Sequence, residues 1–239
     1  VLPIDKSQWM TSHDVVAGLR RTLGIKKIGH AGTLDPMATG LLLVLIGRAT
    51  RISQYLVGLS KCYRGTMKLG VSTDSHDIEG KVVAVGNAEN ITVDMIKDMA
   101  KNFIGDQLQT PPMFSAKKIN GKKLCDLARK GKVVDRDPQF IRVHSLEITD
   151  HRGDEIDFFV HCSKGTYVRT LVNDLGERLQ CGAHLISLCR TTVGNFTIEN
   201  ALTLEEIEKM SIGEVADKLI PPWEAIPSQI VNQNLSACD

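Results

Sequence analysis

Twelve consecutive residues, Gly29-His30-Ala31-Gly32-Thr33-Leu34-Asp35-Pro36-Met37-Ala38-Thr39-Gly40, set a single acid in a stretch nearly bare of side chains. Three glycines and two alanines let a bulky ligand come within contact distance of the Asp35 carboxylate. Pro36 fixes its own φ and pushes Asp35 out of the helical region, so the backbone as well as packing sets the direction of the acid. A carboxylate aimed in this way can work as a nucleophile or as a proton acceptor. The same residue types also build an ordinary turn, with Asp-Pro opening it and Thr39 capping the next element.

The flanking sequence supplies the elements that must hold this segment. Thr11 or Ser12 can cap a helix running from Asp14 to Leu23, with Gly24 ending it, which leaves Asp35 on the loop after it. Leu41 to Ile46 is an unbroken apolar run and reads as a strand buried on both faces, while Lys61 to Leu69 and Lys81 to Val85 read as further strands. Thr92 opens a helix with Val93, Ile96, Met99, Ala100 and Phe103 on one side, and Gly105 closes it. Residues 106 to 138 read as a proline-containing insertion with a turn at Asn120-Gly121 and a short basic helix. Phe140 to Thr149 and Glu155 to Cys162 form a hairpin signal, and in its second strand Ile156, Phe158, Val160 and Cys162 alternate with Asp157, Phe159 and His161. Thr166 to Leu179 returns to helical spacing, with Arg169 in the first turn. Helices and strands interleave without strict alternation, which points to an α+β fold.

Composition narrows the partners. The chain has 239 residues, 42% of them hydrophobic, enough for a proper core. Its longest apolar run is far short of the ~20 residues a membrane helix needs, so no membrane association is expected. The net charge of +1 hides segregation: Lys117, Lys118, Lys122, Lys123, Arg129, Lys130 and Lys132 face one acid, Asp126. Such a cluster is either a solvated face or a grip on backbone phosphates. The six cysteines form no C-x-x-C pair and lack histidines at ligand spacing, so reduced thiols, a cytoplasm-like compartment and no metal site are expected.

The twelve-residue segment resembles the catalytic motif of the TruB family of tRNA pseudouridine synthases. Other family-like segments occur in order along the chain: Thr11-Ser12-His13-Asp14-Val15-Val16, Lys61-Cys62-Tyr63-Arg64, Leu69-Gly70 with Thr73-Asp74, Pro111-Pro112-Met113-Phe114-Ser115-Ala116, Ser163-Lys164-Gly165-Thr166-Tyr167-Val168-Arg169 and Cys181-Gly182-Ala183-His184-Leu185. The resemblance implies a mixed, mostly antiparallel sheet flanked by helices, with a basic RNA-facing insertion at about 106–138. It implies a catalytic domain over residues 1–210 and a short extension over 211–239.

The implied reaction is cofactor-free isomerisation of uridine 55 in the T-loop of tRNA, by a monomer that uses no guide RNA. Asp35 is then the catalytic carboxylate. An acid among Leu34, Met37 and Ala38 loses hydration, and a nearby guanidinium would lower its pKa by roughly 1–3 units. The family pattern puts that guanidinium at Arg169; from the residues alone, Arg169 could instead pair with Asp174 or Glu177. By the same carry-over Tyr63 stacks on the base, Tyr167 and Leu188 line its pocket, and His30 enters the RNA where the base has left.

Two departures stand out. The family opening Lys-Pro-x-Gly-x-Thr-Ser is here Lys6-Ser7-Gln8-Trp9-Met10-Thr11-Ser12, without the proline and the glycine. Beyond Trp223 the sequence shows sixteen more residues, too few for the PUA domain that many family members carry. An alternative reading is a tRNA-folding helper acting on the T arm, with catalysis secondary.

Overall fold

The structure is a computed structural model that describes residues 1–226 apart from 116, 120 and 133. Along the chain the first elements are β1 (Leu2–Lys6), α1 (Ser12–Leu23), β2 (Ile28–Ala31), β3 (Thr39–Ile46) and α2 (Ser53–Val57). Next come β4 (Lys61–Leu69), β5 (Val71–Thr73), β6 (Val82–Val85), α3 (Val93–Lys101) and β7 (Gly105–Gln109). After these lie β8 (Lys118–Ile119), β9 (Lys122–Lys123), α4 (Leu124–Ala128), β10 (Gln139–Arg152), β11 (Glu155–Cys162), α5 (Val168–Arg178) and β12 (Ala183–Val193). The last elements are β13 (Phe196–Thr197), α6 (Leu204–Lys209), α7 (Ile212–Asp217) and α8 (Pro222–Ala225). The architecture is α+β, with mixed, mostly antiparallel strand pairing and flanking helices. No helix among the described residues is long and apolar enough to cross a membrane.

The chain divides into two compact units, one made of residues 1–62 and 189 onward, the other of residues 63–188. In the first unit β3 is the centre. Antiparallel β1 pairs Leu2 to Lys6 with Val44 to Gly40, β2 pairs with the far half of β3, and the end of β12 runs parallel to its start. Leu41 to Leu45 are all essentially inaccessible. Each such side chain contributes roughly 1.5–3 kcal/mol relative to an exposed one, so this run is the unit's main source of stability. Leu41, Leu43 and Leu45 pack with Ala31, Ala49, Leu56 and Val193. Helix α1 has the expected limits: Thr11 and Asp14 form a capping box, and Gly24 closes it in the left-handed region. Gly40 has φ 97°, and a Cβ there would overlap the Arg190 backbone, so β3 and β12 approach as closely as they do because this position is bare.

In the second unit β11 lies between β4 and β10, and β7 closes the row beside β10. The β10–β11 hairpin has the predicted alternation, with Ile156, Phe158, Val160 and Cys162 buried. Strand β10 runs on to Arg152, further than the polar sequence suggests, because Asp150, His151 and Arg152 pair with Asp157, Ile156 and Glu155 of β11, and Arg152 also forms ion pairs with Asp150 and Asp157. Helix α3 packs on β10 and α5, where Arg178 lies over the Phe103 ring at 4.1 Å.

Two short strands depart from the sequence reading. The opening of the twelve-residue segment, through Ala31, belongs to strand β2 and is not loop, and Gly105–Gln109 is edge strand β7, not helix end and insertion. Neither has a hydrophobic period of its own; each becomes a strand by pairing, β2 with β3 and β7 with β10. Thr39 likewise starts β3 and caps no helix.

Asp174 on α5 carries a cost. Burial pushes its carboxyl up to about 6, with neighbouring Glu177 adding to the effect and Asn173 opposing it. An unfolded aspartate titrates near 3.9, so between roughly pH 4 and 6 the folded chain holds a proton that the unfolded chain has released. Stability therefore falls as pH rises through that window. With part of the charge still screened by water, Asp174→Asn is expected to raise the thermal midpoint at pH 7 by roughly 2–4 °C. Near pH 4 the same melts should show no gain.

Candidate active site

Asp35 lies on the tight connection between β2 and β3, half-buried, with Leu34, Met37 and Ala38 buried around it in sequence. Its carbonyl accepts the Ala38 amide at 3.1 Å, which closes the turn. The neighbouring peptide groups are held from three directions. Ser12 Oγ, at the start of α1, accepts the Leu34 amide at 2.9 Å and donates to the Leu34 carbonyl at 3.2 Å. Lys6, 1% exposed at the end of β1, donates from Nζ to the carbonyls of Met10 (2.7 Å), Ser7 (3.0 Å) and Pro36 (3.3 Å). Arg190 of β12, also 1% exposed, donates to the carbonyls of Leu41 (2.7 Å), Gly32 (3.2 Å) and Thr33 (3.4 Å).

Four consecutive residues before the proline, and the proline itself, thus have carbonyls at 32, 33, 34, 35 and 36 that are all engaged. A buried carbonyl without a partner costs about 1–3 kcal/mol, and a loop normally avoids that cost by staying in water. Here buried cations and a hydroxyl take the place of water, which makes the loop rigid. His30 belongs to β2 and is half-buried. Burial, Arg190 and His13 push its ring below the usual histidine range, so the neutral form is favoured.

The second unit holds another cluster at the start of α5. Arg169, 5% exposed, donates from Nη1 to Asp77 Oδ2 at 2.8 Å and from Nη2 to the Phe114 carbonyl. The carboxylate that Nη1 meets is Asp77, not Asp174 or Glu177. Asp77 itself is fully buried, and its other oxygen accepts the Ser75 hydroxyl and the Glu79 amide at 3.1 Å. Removing one side of such a buried pair costs about 3–5 kcal/mol. His76, with φ 67°, rests its Nδ1 3.3 Å from Thr170 Oγ1, so two adjacent loop residues meet two adjacent helix residues.

Tyr167 precedes α5, and buried Gln109 of β7 grips both its amide (2.8 Å) and its carbonyl (3.0 Å). Tyr63 on β4 and Leu188 on β12 are both buried. Between these strands Gly65 is confined, and a Cβ there would come within 3.1 Å of Leu188 and 2.9 Å of the Ser187 carbonyl.

With these two clusters in view, the match to known proteins is decisive. Residues 20–168 match the family model of the TruB family pseudouridylate synthase N-terminal domain, and residues 169–226 that of the tRNA pseudouridylate synthase B C-terminal domain. The chain belongs to the TruB family. The tRNA pseudouridine synthase B of Opitutus terrae is 53% identical over 228 residues, 95% of each chain. That of Geotalea uraniireducens is 47% identical over 93% of this chain and 72% of its own. Among solved structures, the archaeal box H/ACA sRNP Nop10–Cbf5 complex contains a chain with a TM-score of 0.71 and 27% identity. The alignment covers 94% of this chain and 60% of that one.

Each cluster adds residues beyond the expected ones. Lys6, Ser12 and Arg190 hold the Asp35 loop, and Asp77, Phe114 and Gln109 hold the start of α5. Lys6 and Ser12 sit in family-like motifs, and Asp77 is three residues beyond Thr73-Asp74, so motif membership was the available signal. Arg190 stands two residues beyond Leu188, and Gln109 carries no such signal. Of the basic cluster, Arg129 and Lys130 are exposed just beyond α4 and Lys117 is half-buried; Asn120 and the side chains of Lys118, Lys122 and Lys123 lie outside the described residues.

The missing glycine of the opening motif also has a visible consequence. Trp9 takes its place with φ 65°, a conformation that costs an L-residue roughly 1–2 kcal/mol.

Ser12→Ala removes both bonds to Leu34 and leaves its buried amide without a partner. A loss of about 1–3 kcal/mol is expected in denaturant unfolding, together with faster hydrogen exchange at the Leu34 amide. An unchanged exchange rate there would show that Ser12 does not hold the loop.

Proposed function

We propose that this chain is a tRNA pseudouridine synthase that isomerises uridine 55 in the T-loop of tRNA. The observation that carries the reading is Asp35 itself, the one acid of a loop whose flanking carbonyls are all engaged, in a chain 53% identical to a synthase of that name. The reaction breaks the N1–C1′ bond, turns the base and rejoins it through C5. The C5 proton is lost and N1 gains one, so atoms and electrons balance within the nucleotide and no redox partner is consumed.

Asp35 supplies the carboxylate, either by attack at C1′ or by taking the C2′ proton, and both routes need it ionised. Arg169 supplies the compensating guanidinium. Exposing the base costs a few kcal/mol, and an aromatic platform returns about 1–3 kcal/mol, the part assigned to Tyr63. Tyr167 and Leu188 wall the base pocket, His30 fills the vacated space, and Lys117, Lys118, Lys122, Lys123, Arg129 and Lys130 hold backbone phosphates. We place the activity in the cytoplasm, in a monomer acting on the tRNA T arm without a guide RNA, with residues 1–210 as the catalytic domain.

Purified protein and a T-arm stem-loop transcript suffice for the test. Wild type is expected to convert the target uridine, mapped by chemical labelling. Asp35→Asn should lose conversion by at least about 10³-fold while binding the transcript as wild type does. Conversion that survives in Asp35→Asn would remove the assigned carboxylate, and none by wild type would remove the function.

A further inference from the structure

We propose that the Trp9 indole is a stacking platform for an unpaired base of the RNA, set beside the Asp35 loop and distinct from the reacting nucleotide. The inference rests on the tRNA reading above and extends it to a contact made by this chain's own residue. Three observations carry it. Trp9 is a bulky residue in the left-handed region, φ 65°, where glycine is the natural occupant. The residue is nevertheless 60% exposed, so the strain is not offset by burial in the core. Strain of this kind persists only where the surroundings impose it, and it gathers at functional sites.

The surroundings do impose it. The Trp9 amide donates to the Pro36 carbonyl at 2.7 Å, one residue beyond Asp35. Lys6 Nζ then ties the carbonyls of Ser7 and Met10, on either side of Trp9, to that same Pro36 carbonyl. Thr11, two residues on, caps α1. The indole is therefore mounted on the framework that holds Asp35, and its backbone is ordered before any ligand arrives. An uncharged aromatic face held in this way suits one ligand chemistry above others, the face of a nucleobase, which gains from stacking irrespective of sequence. The backbone of this segment adds little ordering cost on binding.

The chain has two tryptophans, so Trp223→Phe leaves Trp9 as the single reporter. Titrating that variant with the T-arm stem-loop should change Trp9 emission saturably. In the wild-type background, Trp9→Gly should melt no lower than wild type, because glycine accepts this φ freely, yet bind the stem-loop about 5- to 30-fold more weakly. The loss should fall on KM, with kcat for bound RNA preserved. Its dependence on salt should be unaltered, since no charge is removed. Trp9→Phe should recover most of the affinity and Trp9→Leu should not.

Wild-type affinity in Trp9→Gly, or unchanged Trp9 emission while the RNA binds by filter assay, would overturn the platform. Binding with the emission change but without conversion would support the platform and count against the synthase reading. No binding to any tRNA transcript would remove both.

Discussion

Peptide carbonyls around Asp35 meet positive charge where a surface loop would meet water. Lys6 and Arg190 are almost wholly inaccessible, and both cations donate to several backbone oxygens. Taking an ammonium and a guanidinium out of water is expensive, and the expense is offset only if the oxygens are already in place. The loop and its cations therefore stabilise each other or not at all. Because Lys6 ends β1 and Arg190 belongs to β12, the shape of the loop depends on the pairing of both strands with β3. Gly40 permits the closest of these approaches, at Arg190. The acid's position is thus a property of the whole first unit.

The second unit solves a related problem with the opposite charge. An arginine in the first turn of a helix sits at the positive end of the helix dipole, and Arg169 is also buried. Asp77 supplies the counter-charge and is itself saturated by Ser75 and Glu79, so its carboxylate is fixed before it meets the guanidinium. Gln109 clamps the peptide group on which α5 begins. The side chain of Arg169 and the backbone of Tyr167 are in this way held independently.

Much of the fold could be read from the chain because the controlling interactions are local. The Thr11–Asp14 capping box opens α1 through bonds that span three residues and Gly24 ends it by its own φ, and the alternation in β11 needs only its own pleat. β2 and β7 escaped because short glycine-containing or polar strands have no periodicity, and it is a partner strand that makes them extended. The same division runs through each of the two clusters. Asp35 and Arg169 could be picked out by residue type and motif, but Asp77 lies 92 residues from Arg169 and Gly32 lies 158 from Arg190. At such separations a sequence shows that a cation or an acid exists and not what it will meet.

By itself the sequence determined that one carboxylate would stand in a bare segment and be turned by a proline, since φ restriction and missing side chains act within a residue or two. It also determined the family. Only the tertiary structure decided that buried Lys6 and Arg190 would hold that segment, that Asp77 would face Arg169, and that Trp9 would occupy a left-handed position in the open. Those outcomes depend on desolvation and on strand pairing between distant parts of the chain, and neither has a magnitude until the chain has folded.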